Sequence, residues 1–224
     1  MYNFDISVIT KSIPLLIDGI KITVFISAIS SVCAFLIGIT VVYFRTAGSK
    51  PIRFLAGSYV EIIRNTPLLI QLYFTYKSFP DIGITLPPIG CGILSLSIYT
   101  GAFISEVLRS GINSVASEQY EASISLGLSK FQTFRLIILP QALRIIIPPL
   151  GSQFINLIKN SSLVSFISVT DLFYVVYKGA VDDFRFFEFF FTGALMYMIL
   201  TGIIALFTNI LETRLNFRGR TAKI

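Results

Sequence analysis

Apolar side chains run in long unbroken stretches along this chain, set off by short clusters of charge, rather than alternating residue by residue. Stretches at roughly residues 22–44, 54–76, 86–108, 150–169 and 187–211 are each long enough to span. A crossing helix needs about 20 largely apolar residues, because it rises about 1.5 Å per residue across about 30 Å of hydrocarbon. Continuous runs select helices over the alternating strands of a membrane barrel. In lipid only those two forms satisfy every backbone polar group. The pattern therefore predicts an all-α membrane protein with five transmembrane helices, in a single domain over residues 1–224. Residues 6–20 are interrupted by Lys11, Pro14, Asp18 and Gly19, and are expected to lie along the interface as a short amphipathic piece. No basic start or small-residue cleavage site marks a signal peptide to be removed.

Between the third and fourth runs, at about 115–140, the pattern changes to two short helices hinged at a glycine. Ser117 is placed to cap the first, with Glu118 and Glu121 in its opening turns at the positive end of the helix dipole. Gly127 falls where a helix ends in a left-handed residue. Ser129 and Gln132 form a capping box for the second helix, and Pro140 stops or bends it. Pro148 and Pro149 are expected to break the approach to the fourth span.

Composition changes the picture little: 54% hydrophobic and 13% charged residues, with a mean hydropathy of +0.79, lie outside the mix of soluble domains. Charge placement adds an orientation. With the amino terminus outside, the inner side holds Arg45, Lys50, Arg53, Arg109, Lys130, Arg135, Arg144, Arg214, Arg218, Arg220 and Lys223. The outer side holds only Lys11, Lys21, Lys77, Lys178 and Arg185. The Gly127 elbow then faces the cytoplasm, and the net charge of +6 reflects topology and contact with membrane lipid, not nucleic-acid binding. Cys33 and Cys91 sit in apolar sequence and read as reduced thiols. Histidine is absent, which removes imidazole-held metals, bis-histidine haem and Ser-His catalysis. No Gly-rich loop ends in Gly-Lys-Ser/Thr, so any ATP that drives this chain is bound by another polypeptide. No enzyme activity and no cofactor is expected.

The candidate chemistry lies in polar groups at membrane depth, which are costly in lipid and so face protein or a wet cavity. Glu61 and Arg64 share a helical face and can neutralise each other, either as the wall of a substrate path or as a structural pair. Pro67, after Asn65 and Thr66, frees a carbonyl near Ile63 and should kink the second span. In the third span Gly101 and Ala102 read as packing positions, and Glu106 is expected to pair with Arg109. In the fourth, Gln153, Asn156 and Lys159 or Asn160 recur at helical spacing, with Ser161 and Ser162 following. That stripe could meet a substrate carboxylate and polar atoms, or staple a subunit seam while Lys159 snorkels. Aromatic residues at 184–191, around Glu188, read as an interfacial belt.

The spacing Glu121-Ala122-Ser123, Gly127, Ile137, Leu139-Pro140 resembles the elbow signature of permease subunits of ATP-binding-cassette importers, with Ser123 where the pattern has an alanine. The run Arg64-Asn65-Thr66-Pro67-Leu68, with Gln71 following, is similar to a segment of polar amino-acid permeases, Asn65 replacing a glycine. So is Ile158-Lys159-Asn160-Ser161-Ser162-Leu163, where Asn160 stands in place of an aspartate. The resemblance implies a type I importer permease in the bacterial inner membrane. The resemblance also implies a second permease copy or paralogue, two cytoplasmic ATP-binding subunits and an extracytoplasmic solute-binding protein as partners. It also implies a path for a polar amino acid along Arg64, Thr66, Gln71, Gln153, Asn156, Lys159, Asn160, Ser161 and Ser162. Coupling to the ATPase would run through Glu121, Ala122, Gly127, Leu139 and Pro140. A permease for another small solute, or a channel or scaffold outside this family, is the competing reading.

Overall fold

A computed structural model describes residues 4–220, with side chains as far as Arg214, and all regular structure in that range is helical. The basic residues Arg218, Arg220 and Lys223, assigned above to the inner side, have side chains outside the described residues. The chain builds α1 (Ile6–Ala47), α2 (Lys50–Arg64), α3 (Leu68–Lys77), α4 (Pro88–Asn113), α5 (Ser117–Ser125), α6 (Lys130–Thr133), α7 (Leu139–Asn160), α8 (Leu172–Asp182) and α9 (Phe186–Arg220). A π-helical turn (Phe134–Ile138) joins α6 to α7, and a 3₁₀ segment (Ser161–Ile167) follows α7. Four uninterrupted helices are long and apolar enough to cross a membrane: Ile6–Ala47, Pro88–Asn113, Lys130–Ile167 and Phe186–Arg214.

Residues 6–20 are not a separate interfacial piece. They form the first part of α1, an unbroken helix of 42 residues and about 63 Å, roughly twice the hydrocarbon thickness. Asp5 caps it by accepting from Ser7 N at 2.9 Å. Pro14 sits inside without ending it, because Leu16 is clamped in a core with Leu172, Val176, Ala180 and Phe189. Helix α8 itself went unread in the sequence. Its cap is Asp171, whose carboxylate accepts from Tyr174 N at 2.9 Å. Gly19 lets α1 approach the backbone of α8, for a Cβ there would lie 2.9 Å from Leu172 Cα.

Helix α1 lies along α4 through small residues on both sides. A Cβ on Gly101 would lie 2.7 Å from Ile37 Cγ2, and Gly38 meets Ile104 as closely, so the packing role assigned to Gly101 and Ala102 stands. The second predicted span is not one helix. It breaks at Asn65–Pro67 into α2 and α3, of 15 and 10 residues. The expected prolyl kink is thus a full interruption.

The prolines of the fourth span behave the opposite way. Pro140 neither stops nor separates its helix: the π turn directly before it closes with Leu139 N–H on Phe134 O, widening the backbone where the ring would meet a carbonyl. Gln141 Nε2 then donates to Ile137 O at 2.9 Å. Pro148 and Pro149 lie inside α7 without a break, because Ile146 against Gly111 and Gly151 against Thr208 hold that turn in place. Residues 130–167 are therefore one continuous helical body. The predicted span at 150–169 is its latter part, tightened to 3₁₀ geometry after Asn160.

Candidate functional site

The elbow is built from two caps. Helix α5 ends in a Schellman arrangement, with Gly127 N–H on Ile124 O at 2.9 Å and Leu128 N–H on Ser123 O at 3.1 Å. Gly127 has φ +82°, and a Cβ there would meet nothing within 4 Å, so the requirement is torsional rather than spatial. The capping box is present: Ser129 Oγ accepts from Gln132 N at 3.3 Å and Gln132 Oε1 from Ser129 N at 2.9 Å. The start of α5 differs from expectation. Ala116 occupies the cap position and Ser117 is the first helical residue, with no side-chain cap bond. Ser123 is buried and its hydroxyl donates to Gln119 O at 2.5 Å, which explains how serine serves where the pattern has alanine. The outer face carries exposed Glu121 and Ala122 beside Tyr120, Ile124, Leu126 and Phe131. Leu126 and Phe131 are 82% and 69% exposed, an apolar surface around one carboxylate. Leu139 and Pro140 lie where the second limb becomes α7.

Within the bundle, Arg64 does not pair with Glu61. It lies 3.7 Å from Glu106 Oε2 on α4 and 5.2 Å above the Phe103 ring, because the break after α2 turns it toward α4. Glu61 accepts from Asn65 Nδ2 instead, at 3.3 Å. Glu106 pairs with Arg109 at 2.9 Å as expected, and with Arg45 of α1 as well. One carboxylate thus gathers three guanidinium groups from three helices. Arg64 is held most loosely of them. Sequence reasoning missed this hub because its members are distant along the chain, Arg45 lying 61 residues and Arg64 42 residues before Glu106.

Thr66 and Gln71 are occupied within the break. Gln71 Nε2 donates to Ile63 O at 3.0 Å, the carbonyl that Pro67 leaves without its amide partner, and to Thr66 Oγ1 at 2.7 Å. Thr66 Oγ1 donates to Ile62 O at 2.9 Å. Along α7, Gln153, Asn156, Lys159 and Asn160 fall on one side of the helix. Asn156 and Lys159 are exposed, Gln153 and Asn160 half-buried. None of the four makes a side-chain hydrogen bond or ion pair among the described residues. Ser161 and Ser162 turn inward on their own helix, donating to Ile158 O and Lys159 O, each at 2.8 Å.

Asp171 is a second buried acid that the sequence reading passed over. It accepts from Tyr197 Oη at 3.3 Å, while Leu172 N donates to Thr23 Oγ1 at 3.0 Å, so α1, α8 and α9 meet there. Burial pushes its carboxyl up to about 6. An aspartate directly before an apolar run was the signal available for it.

The chain as a whole is similar to known proteins. The family described as binding-protein-dependent transport system inner membrane component matches residues 22–217. The chain is 38% identical over 211 residues to the probable glutamine ABC transporter permease protein GlnM of Bacillus subtilis, covering 94% of this chain and 98% of that one. It is 35% identical over 215 residues to the glutamine transport system permease protein GlnP of Escherichia coli K12, covering 95% and 98%. Among solved structures, a chain in the crystal structure of an amino acid ABC transporter with histidines superposes with a TM-score of 0.88 at 32% identity, over 95% of this chain and 100% of that chain. A chain of the inward-facing MetNI methionine ABC transporter superposes with a TM-score of 0.77 at 19% identity, over 92% and 98%, a likeness of fold alone.

Proposed function

The chain belongs to the inner membrane components of binding-protein-dependent transport systems, and from that membership we propose that it is the permease subunit through which an ATP-binding-cassette importer moves a neutral polar amino acid. ATP is hydrolysed on partner subunits and an extracytoplasmic binding protein delivers the solute. The observation that carries the substrate reading is the α7 stripe: Gln153, Asn156, Lys159 and Asn160 present amides and one cation with no partner among the described residues. Lys159, with Arg64 across the Glu106 hub, supplies positive charge suited to an α-carboxylate. The amides suit a polar side chain, and Asn160 offers no charge to hold a guanidinium or ammonium. The same face would meet a second permease, so that the path forms between two copies or paralogues.

Helices α2 and α3 together complete a fifth crossing, broken at Asn65–Pro67 and fastened by Gln71 and Thr66. Five crossings put the two termini on opposite sides, and the bias of Lys and Arg favours the amino terminus outside and the elbow in the cytoplasm. Glu121, Ala122 and the apolar residues around them dock in the ATPase, and Gly127 sets the angle. Leu139 and Pro140 belong to the helix that bears the stripe, so motion of the elbow reaches Lys159 through one rod about 44 Å long. Two packings of similar energy then alternate, biased by nucleotide on the ATPase.

The test is uptake by the assembled importer in proteoliposomes against a panel of competing amino acids. Competition by glutamine and other neutral polar amino acids, with none by arginine, is expected. Failure of every amino acid to compete refutes the substrate.

A further inference from the structure

We propose that the cleft between α1, α7 and α9 holds one acyl chain of an anionic phospholipid, whose phosphate is bound by Arg144 and Arg214. The cleft, of about 440 Å³, is walled by residues 23–31 of α1, 147–158 of α7 and 200–211 of α9. Nearly all of its exposed surface is carbon, with Val24, Phe154, Ile203 and Phe207 among the walls, although Thr23, Ser27, Ser31 and Thr208 also line it. Along α7 and α9 it runs for twelve residues, about 16 Å from first to last, which is close to the hydrocarbon depth of one leaflet.

Its two ends differ. Helices α7 and α9 are antiparallel, since Gly151 meets Thr208 while Asp171, beyond the far end of α7, meets Tyr197. One end is therefore closed by the Thr23, Asp171 and Tyr197 level. At the other, Arg144 lies one turn beyond Ile147, and Arg214 one turn beyond Leu211. Both arginines are exposed, and neither pairs with a carboxylate among the described residues. An apolar slot of leaflet length ending in two unpaired guanidinium groups matches an acyl chain and its phosphate, since guanidinium groups bind phosphate through paired N–H donors and basic pockets between membrane helices take acidic head groups.

A second permease is the poorer occupant. The cleft face of α7 (Ile147, Gly151, Phe154, Ile158) lies on the opposite side of the helix from its unpartnered polar stripe. A subunit packed on the cleft would leave that stripe in lipid.

The test is native mass spectrometry of the intact importer released from nanodiscs of phosphatidylglycerol or phosphatidylcholine. One phosphatidylglycerol retained per permease is expected, with phosphatidylcholine lost. The double variant Arg144→Gln, Arg214→Gln should retain phosphatidylglycerol about 30-fold less tightly, each arginine near the surface contributing about 1 kcal/mol. Ala28→Phe, which fills the cleft without touching either arginine, should displace the lipid too. Equal retention of both lipids, no retention at all, or retention unmoved by either variant would overturn the site. So would cross-linking between permease copies through Ala28→Cys in a background lacking Cys33 and Cys91. None of these readouts depends on which solute is carried.

Discussion

At the α2–α3 break, Gln71 reaches back to the Ile63 carbonyl that Pro67 leaves without a donor, so one amide makes a helix interruption tolerable at membrane depth. The freed carbonyl could be foreseen from Pro67 alone. What would satisfy it could not, because that depends on how far α3 swings. Asn160 is the residue on which solute choice should turn: Asn160→Asp is expected to raise uptake of arginine and lysine relative to glutamine, read from initial rates with each labelled amino acid. Lys159→Ala should raise the apparent KM for the native solute about tenfold or more, the loss of one charge-assisted hydrogen bond of about 1.5–3 kcal/mol. Asp171 gives a pH signature. Its pKa is raised from 3.8 to about 6, so its contribution to stability is fully present below pH 3.8 and lost as pH rises through about 6. The unfolding midpoint should fall between about pH 4 and 6.5 in the native protein and level off above that. Asp171→Asn, which keeps an N-cap acceptor, should flatten that dependence.

The elbow was the element most open to reading from sequence, because its devices are local: Gly127, Ser129 and Gln132 act on backbone within a few residues. Elements decided by distant contacts were misread. Pro14, Pro148 and Pro149 sit in helices that sequence rules would end, since Leu16, Ile146 and Gly151 are gripped by other helices. Arg64 was assigned to its neighbour Glu61 by spacing, whereas a turn of the chain offers it Glu106. Gly127→Ala should cost about 1–2 kcal/mol of local helix-end stability and weaken coupling. Gly127→Pro should abolish uptake and substrate-stimulated ATP hydrolysis while membrane levels stay normal, as followed by transport assay and immunoblot; unchanged uptake would remove the elbow from the coupling path.

For the whole molecule, the decisive measurement is sidedness. A cysteine at Lys130, with Cys33 and Cys91 replaced, should be inaccessible to impermeant maleimide in intact cells and react in inverted vesicles. The outward result would put the elbow out of reach of any cytoplasmic ATPase. The helical class and membrane setting were legible in the apolar runs. The count of uninterrupted crossing helices was not, because hydropathy is blind to the backbone break at Asn65–Pro67 and to the helix α8 packed at the margin.

The wide turn at Phe134–Ile138 holds one residue more than an ordinary α turn. Deleting Arg135 would let the backbone close into regular α geometry with everything beyond it in nearly the same phase, whereas the same deletion within an ordinary α turn would rotate the rest by about 100° about the shaft. Gln153, Asn156 and Lys159 would keep their aim in the first case and look toward a different neighbour in the second. Phase, and not only length, is built into this subunit, and the wide turn is the place where one residue can be lost without disturbing it.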